Sequence, residues 1–91
     1  MNKDKFVKDA LKVLETTSSD FIWTIGHYLG EWRLMVRFLN NPMGYLYYSE
    51  DMSSIIFVED GSAEIIEGSL DEIVRSVEAD FLRRIQPTLP I

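Results

Sequence analysis

The spacing of apolar residues changes period twice along this chain, and each change marks a change of element. Over residues 3–15, Phe6, Val7, Ala10, Leu11 and Leu14 recur at helical spacing. Lys3, Lys5, Lys8, Asp9, Lys12 and Glu15 fill the other side. Asn2 stands at the N-cap position. Thr16-Thr17-Ser18-Ser19 ends the segment, because short hydroxyl side chains compete for the backbone hydrogen bonds that a helix needs. From residue 21 the period becomes two. Trp32, Leu34, Val36 and Phe38 alternate with Arg33, Met35 and Arg37, which predicts a half-buried strand over 32–39. Residues 21–29 form its hairpin partner, with Gly30-Glu31 as a two-residue type II′ turn. That turn pairs Leu29 with Trp32, His27 with Leu34, Ile25 with Val36 and Trp23 with Phe38, all on one face. The other face then holds Tyr28, Gly26 and Thr24 beside Arg33, Met35 and Arg37.

Further strands follow. Asn40-Asn41-Pro42-Met43-Gly44 predicts a turn, residues 45–49 a short aromatic strand, and Glu50-Asp51-Met52-Ser53 a polar break. Residues 54–59 and 63–67 make a second hairpin around Asp60-Gly61, a dipeptide suited to a type I′ turn. Ile55, Ile56, Phe57 and Val58 are apolar on both faces, which predicts a strand that is central or covered on both sides. The helical period then returns. Ser69-Leu70-Asp71-Glu72 is a capping box, and Leu70, Ile73, Val74, Val77, Phe81 and Ile85 form one stripe. Asp71–Arg75 and Asp80–Arg84 are ion pairs at i,i+4, and Pro87 and Pro90 stop the helix. The reading is a single domain over residues 1–91, α+β in class, in the order α-β-β-β-β-β-α. A four- or five-stranded antiparallel sheet carries an N-terminal and a C-terminal helix, both packed on one face.

Composition changes this picture in one respect. Residues 50–80 hold ten of the fifteen acids and one base, a formal charge of −9, whereas residues 1–49 sum to +1 and 81–91 to +2. Four of the ten acids (Asp71, Glu72, Glu78 and Asp80) fall in the last helix, where capping, the helix dipole and i,i+4 pairs account for them in part. The other six, Glu50, Asp51, Glu59, Asp60, Glu64 and Glu67, lie on adjacent strands and turns and form a candidate docking surface for a basic protein. Tyr45, Tyr47 and Tyr48 are the candidate anchors beside them, because tyrosine gives a large contact area at small entropy cost. Acidity argues against nucleic acid as a partner. Chains without cysteine have neither disulfides nor thiolate metal sites. No signal peptide or spanning segment is expected, which points to the cytoplasm.

The chemistry read from motifs is thin. His27 is the single histidine and has no local base or nucleophile beside it, and the acids lack the spacing of a calcium loop. No catalytic residue, metal ligand or cofactor is nominated. A small, acidic, cysteine-free α+β chain with a tyrosine-rich acidic sheet resembles the immunity proteins of bacterial toxin systems, including those of contact-dependent growth inhibition. The resemblance lies in general character and carries no motif. It implies a non-catalytic cytoplasmic protein that neutralises a cognate basic, nuclease-type toxin domain. The alternatives are a secretion-chaperone-like homodimeric adaptor, and an enzyme or small-ligand sensor built on Trp23, Trp32, His27 and Arg37. Monomer and homodimer both stay open.

Overall fold

The computed structural model describes residues 2–15 and 20–85. Helix α1 (Lys3–Leu14) is followed by β1 (Phe21–Tyr28), β2 (Glu31–Phe38), β3 (Asn41–Ser49), β4 (Ser54–Glu59) and β5 (Ser62–Ile66), then by helix α2 (Leu70–Ile85). The class is α+β, as the periodicity predicts. The strands form one sheet in chain order, each antiparallel to the next. Short connections leave no other solution, since a parallel pair needs a long crossover. The helix-ending Thr16-Thr17-Ser18-Ser19 and the terminating prolines Pro87 and Pro90 lie outside the described residues.

Both helices cover the same face. Phe6, Ala10 and Val13 of α1 and Leu70, Ile73, Val74 and Val77 of α2 share one buried cluster with Phe21, Trp23, Leu34, Val36, Leu46, Ile55 and Phe57. Those sheet residues lie on one side of the pleat, as the alternation requires. Phe38 links the layers, with its ring centroid 4.9 Å from Phe21 and 4.8 Å from Phe81 of α2. Trp23 is buried with its indole N–H donating to a Glu78 carboxylate oxygen at 2.8 Å, so one acid of α2 satisfies the polar atom of a core residue. Ser69 and Glu72 form the predicted capping box: the Glu72 amide donates to Ser69 Oγ at 3.2 Å and the Ser69 amide to Glu72 Oε1 at 3.3 Å. The Asn2 cap also forms, accepting from the Lys5 amide at 2.8 Å.

Four details differ from the expectation. In α1 the buried stripe is Phe6, Ala10 and Val13, an i, i+4, i+7 set, while Leu11 is half exposed. In the first hairpin the turn is Leu29-Gly30, not Gly30-Glu31, and both residues have positive φ (50° and 81°), the type I′ signature. Tyr28 therefore pairs with Glu31, His27 with Trp32, Ile25 with Leu34 and Trp23 with Val36. The register moves by two residues, so every side chain keeps its predicted face. In the second hairpin Gly61 alone has positive φ, so Asp60-Gly61 is not a type I′ turn. The predicted turn at 40–44 narrows to Leu39-Asn40, again with positive φ at both residues (48° and 70°), and β3 begins at Asn41.

Pro42 is tolerated inside β3 because the ladder is irregular there, shifting register opposite Val36 and Arg37. Gly44 is required at the same place: a Cβ would lie 2.2 Å from the Val58 carbonyl oxygen. Strand β4 is an interior strand between β3 and β5, the first of the two expected alternatives, and is covered by helices on one side only. Its Ile55 and Phe57 enter the core, while Ile56 and Val58 point to the opposite face and are shielded mainly by neighbouring strands.

Candidate partner-binding surfaces

The nine residues nominated from the sequence do not share one surface. Glu50 and Asp51 sit in the β3–β4 turn, and Asp60 sits in the β4–β5 turn next to Glu59. Those turns lie at opposite ends of β4, about 17 Å apart at strand rise. Glu64 pairs with Phe57 across the β4–β5 ladder and so projects on the helix side of the sheet. There Glu59, Glu64 and Glu67 line a groove of about 480 Å³ between β5 and α2, together with Asp80, Arg83 and Arg84. Part of this acidity is internally matched. Arg84 pairs with Glu59 at 3.3 Å and with Asp80 at 3.3 Å. Arg83 pairs with Asp80 at 3.3 Å, and Asp71 pairs with Arg75. Glu64 and Glu67 are exposed and form no ion pair among the described residues.

The tyrosines divide as well. Tyr45 and Tyr47 pair with Val58 and Ile56 and lie on the face away from the helices. Tyr48 lies on the helix side, packed against the core. The residues of the sensor alternative are separated by the same pleat. Trp23, Trp32 and His27 fall on the helix side, with the His27 ring tilted against Trp32 at 4.5 Å between centroids, whereas Arg37 is on the other face.

That other face holds Tyr45 and Tyr47 of the nominated anchors. No element of the described chain lies on it. It presents Ile22, Tyr28, Met35, Tyr45, Tyr47, Ile56, Val58 and Ile65 across all five strands. Ile22, Tyr28 and Ile65 are 43%, 48% and 47% exposed. Such a surface has the composition of an interface core, rich in aromatic residues, Met and Arg. It is also partly rigid. The Arg33 guanidinium lies 4.3 Å from the Tyr45 ring centroid and 5.2 Å from that of Tyr28, and its Nε donates to Glu31 at 2.8 Å. The hydrogen bond to Glu31 raises the Arg33 pKa above its already high ordinary value, so the charge is permanent. Gly26 makes the tight packing possible, since a Cβ there would lie 2.9 Å from Met35 Cε and 3.0 Å from Tyr28 Cε2.

A depression of about 400 Å³ opens on this face, lined by Thr24, Tyr28, Met35, Arg37, Pro42 and Tyr45 among others. The signal for the face was present in the sequence: apolar residues at both parities of β4, and Tyr45 and Tyr47 at the parity opposite Leu46. Among the described residues no group of three His, Cys, Asp or Glu side chains is placed to hold a metal ion. No helix among them is long and apolar enough to cross a membrane. No family model, curated protein or solved structure matches the chain.

Proposed function

We propose that this chain is a non-catalytic protein-binding module, and that the uncovered face of its sheet is where a different protein docks. The observation that supports it is the apolar face spanning five strands with no layer over it among the described residues. Exposed apolar patches of this kind on small domains mark interaction sites. A cytoplasmic location and an immunity-type role, blocking a cognate toxin domain, are the specific form that the general character of the chain favours. The test is capture of partners by tagged protein, identified by mass spectrometry and compared among wild type, Tyr45→Ala/Tyr47→Ala and Glu64→Lys/Glu67→Lys, with circular dichroism as the check on folding. Loss in the tyrosine variant and retention in the charge-reversed one is the expected pattern.

A second reading takes a basic toxin domain as the partner and puts its contact at the β5 margin. It is favoured by Glu64 and Glu67, exposed acids without ion-pair partners among the described residues, on or next to an edge strand. The opposite capture pattern would select it, and retention of the partner in both variants would sink both readings. The homodimeric adaptor is judged by light scattering. A mass of 10.6 kDa is expected. Twice that mass, falling to one in the tyrosine variant, would make the face a homodimer interface instead.

A further inference from the structure

The uncovered face lacks the acidity of residues 50–80. The strand parities place three charged residues on it, Glu31, Arg33 and Arg37, one acid against two bases, so the face is +1 in a chain of −6. Glu31 and Arg33 neutralise each other at 2.8 Å. Arg37 is different. It is exposed, its guanidinium makes a 3.5 Å contact to the Asn40 carbonyl oxygen, and no carboxylate pairs with it among the described residues. Its guanidinium is therefore accessible to a carboxylate of another protein. It stands at the rim of the depression walled by Tyr28, Met35 and Tyr45.

We propose that the element docking on this face is an acidic apolar protein segment. An apolar side chain enters the depression, and a carboxylate next to it in the partner pairs with Arg37. The proposal rests on the docking-face reading above and specifies its partner. A guanidinium suits this task because it is weakly hydrated and offers a planar fork to a carboxylate. Tyr28 and Tyr45 line the same depression and offer apolar ring surface to a side chain that enters it. A second copy of this chain fits poorly, since it would set Arg37 against a like-charged face and one −6 molecule against another. A basic segment would meet Arg37 and no free acid on the face.

Two peptides of equal apolar content test this, Ac-Glu-Leu-Glu-Phe-NH2 and Ac-Lys-Leu-Lys-Phe-NH2, titrated into ¹⁵N-labelled protein at low salt. The acidic peptide is expected to shift the amide signals of Thr24, Met35, Arg37 and Tyr45 saturably, and to bind roughly fivefold more tightly than the basic one. Arg37→Gln is expected to abolish that preference while leaving spectral dispersion intact, and Arg37→Lys to restore part of it. Equal or stronger binding of the basic peptide, shifts confined to another surface, or no saturable shift with either peptide would overturn the proposal. None of these outcomes touches the docking-face reading, which the capture experiment judges separately.

Discussion

Leu46 and Tyr47 are adjacent in β3 and meet opposite fates. Leu46 is fully buried under the two helices, and Tyr47 lies on a face that no helix reaches. The comparison extends over the whole sheet. One face carries Phe21, Trp23, Leu34, Val36, Leu46, Ile55 and Phe57 in a closed core, and the other leaves Ile22, Tyr28 and Ile65 exposed and Met35, Tyr45, Tyr47 and Val58 half-buried, with Ile56 alone buried. The closed face is complete by the usual tests: among the described residues it leaves no buried side-chain polar atom unpartnered, and its Trp23 N–H is satisfied by α2. The difference teaches that apolar composition does not separate core from interface in this chain. Coverage does.

The largest effect to test that contrast is in the same two residues. Leu46→Ala is expected to destabilise by about 3 kcal/mol, as for a fully buried leucine, whereas Tyr47→Ala should cost under about 1 kcal/mol. Urea midpoints measure both, and equal costs would mean that the second face is packed as tightly as the first. Next is the strap between α2 and the closed face. Glu78→Ala removes the acceptor from the buried Trp23 indole and is expected to cost about 1–2 kcal/mol, read by the same method and by a shifted Trp fluorescence maximum. A smaller effect of opposite sign belongs to the turn that sets the register for both faces. Leu29 is fully exposed with φ 50°, a conformation in which leucine is strained, so Leu29→Asn should stabilise by about 0.5–1 kcal/mol.

The smallest effect concerns pH. The hydrogen bonds from the Ser69 hydroxyl and amide hold the Glu72 carboxyl below the ordinary glutamate range. A carboxyl depressed in the folded state stabilises the fold above its unfolded pKa, and that contribution is lost as pH falls through the folded value. Glu72→Gln should therefore flatten the acid limb of the stability-against-pH curve and leave the neutral limb parallel to wild type. An unchanged acid limb would mean that the cap carries no charge-dependent stabilisation.

Much of the fold was legible because local chemistry and period agree. The capping box at Ser69 and Glu72, the α2 stripe and the face of every β1 and β2 side chain all follow from the sequence. The faces survived even where the register did not, since a two-residue slip restores the same parity. The turn itself was missed because Leu29 is a poor left-handed residue, and Gly30 can serve at either central position of a two-residue turn. The start of β3 was missed because Pro42 reads as a breaker, and only the pairing with β2 shows the irregularity that admits it. The candidate site was less legible. Six acids close in sequence fall at two ends of a strand and along one groove, because antiparallel turns alternate between the ends of a sheet.

The sequence by itself determined the order of elements, the two helix stripes and which residues share a side of each strand, all consequences of periods of 3.6 and 2. It also determined the charge asymmetry. Only the tertiary structure decided which side the helices cover, and that Tyr45 and Tyr47 are thereby left outside with Arg33 and Arg37 while Tyr48 is taken in. The physical reason is that a strand's period is symmetric between its faces. The choice between them is made by helices distant in sequence, when α1 and α2 bury their stripes against the sheet and against each other.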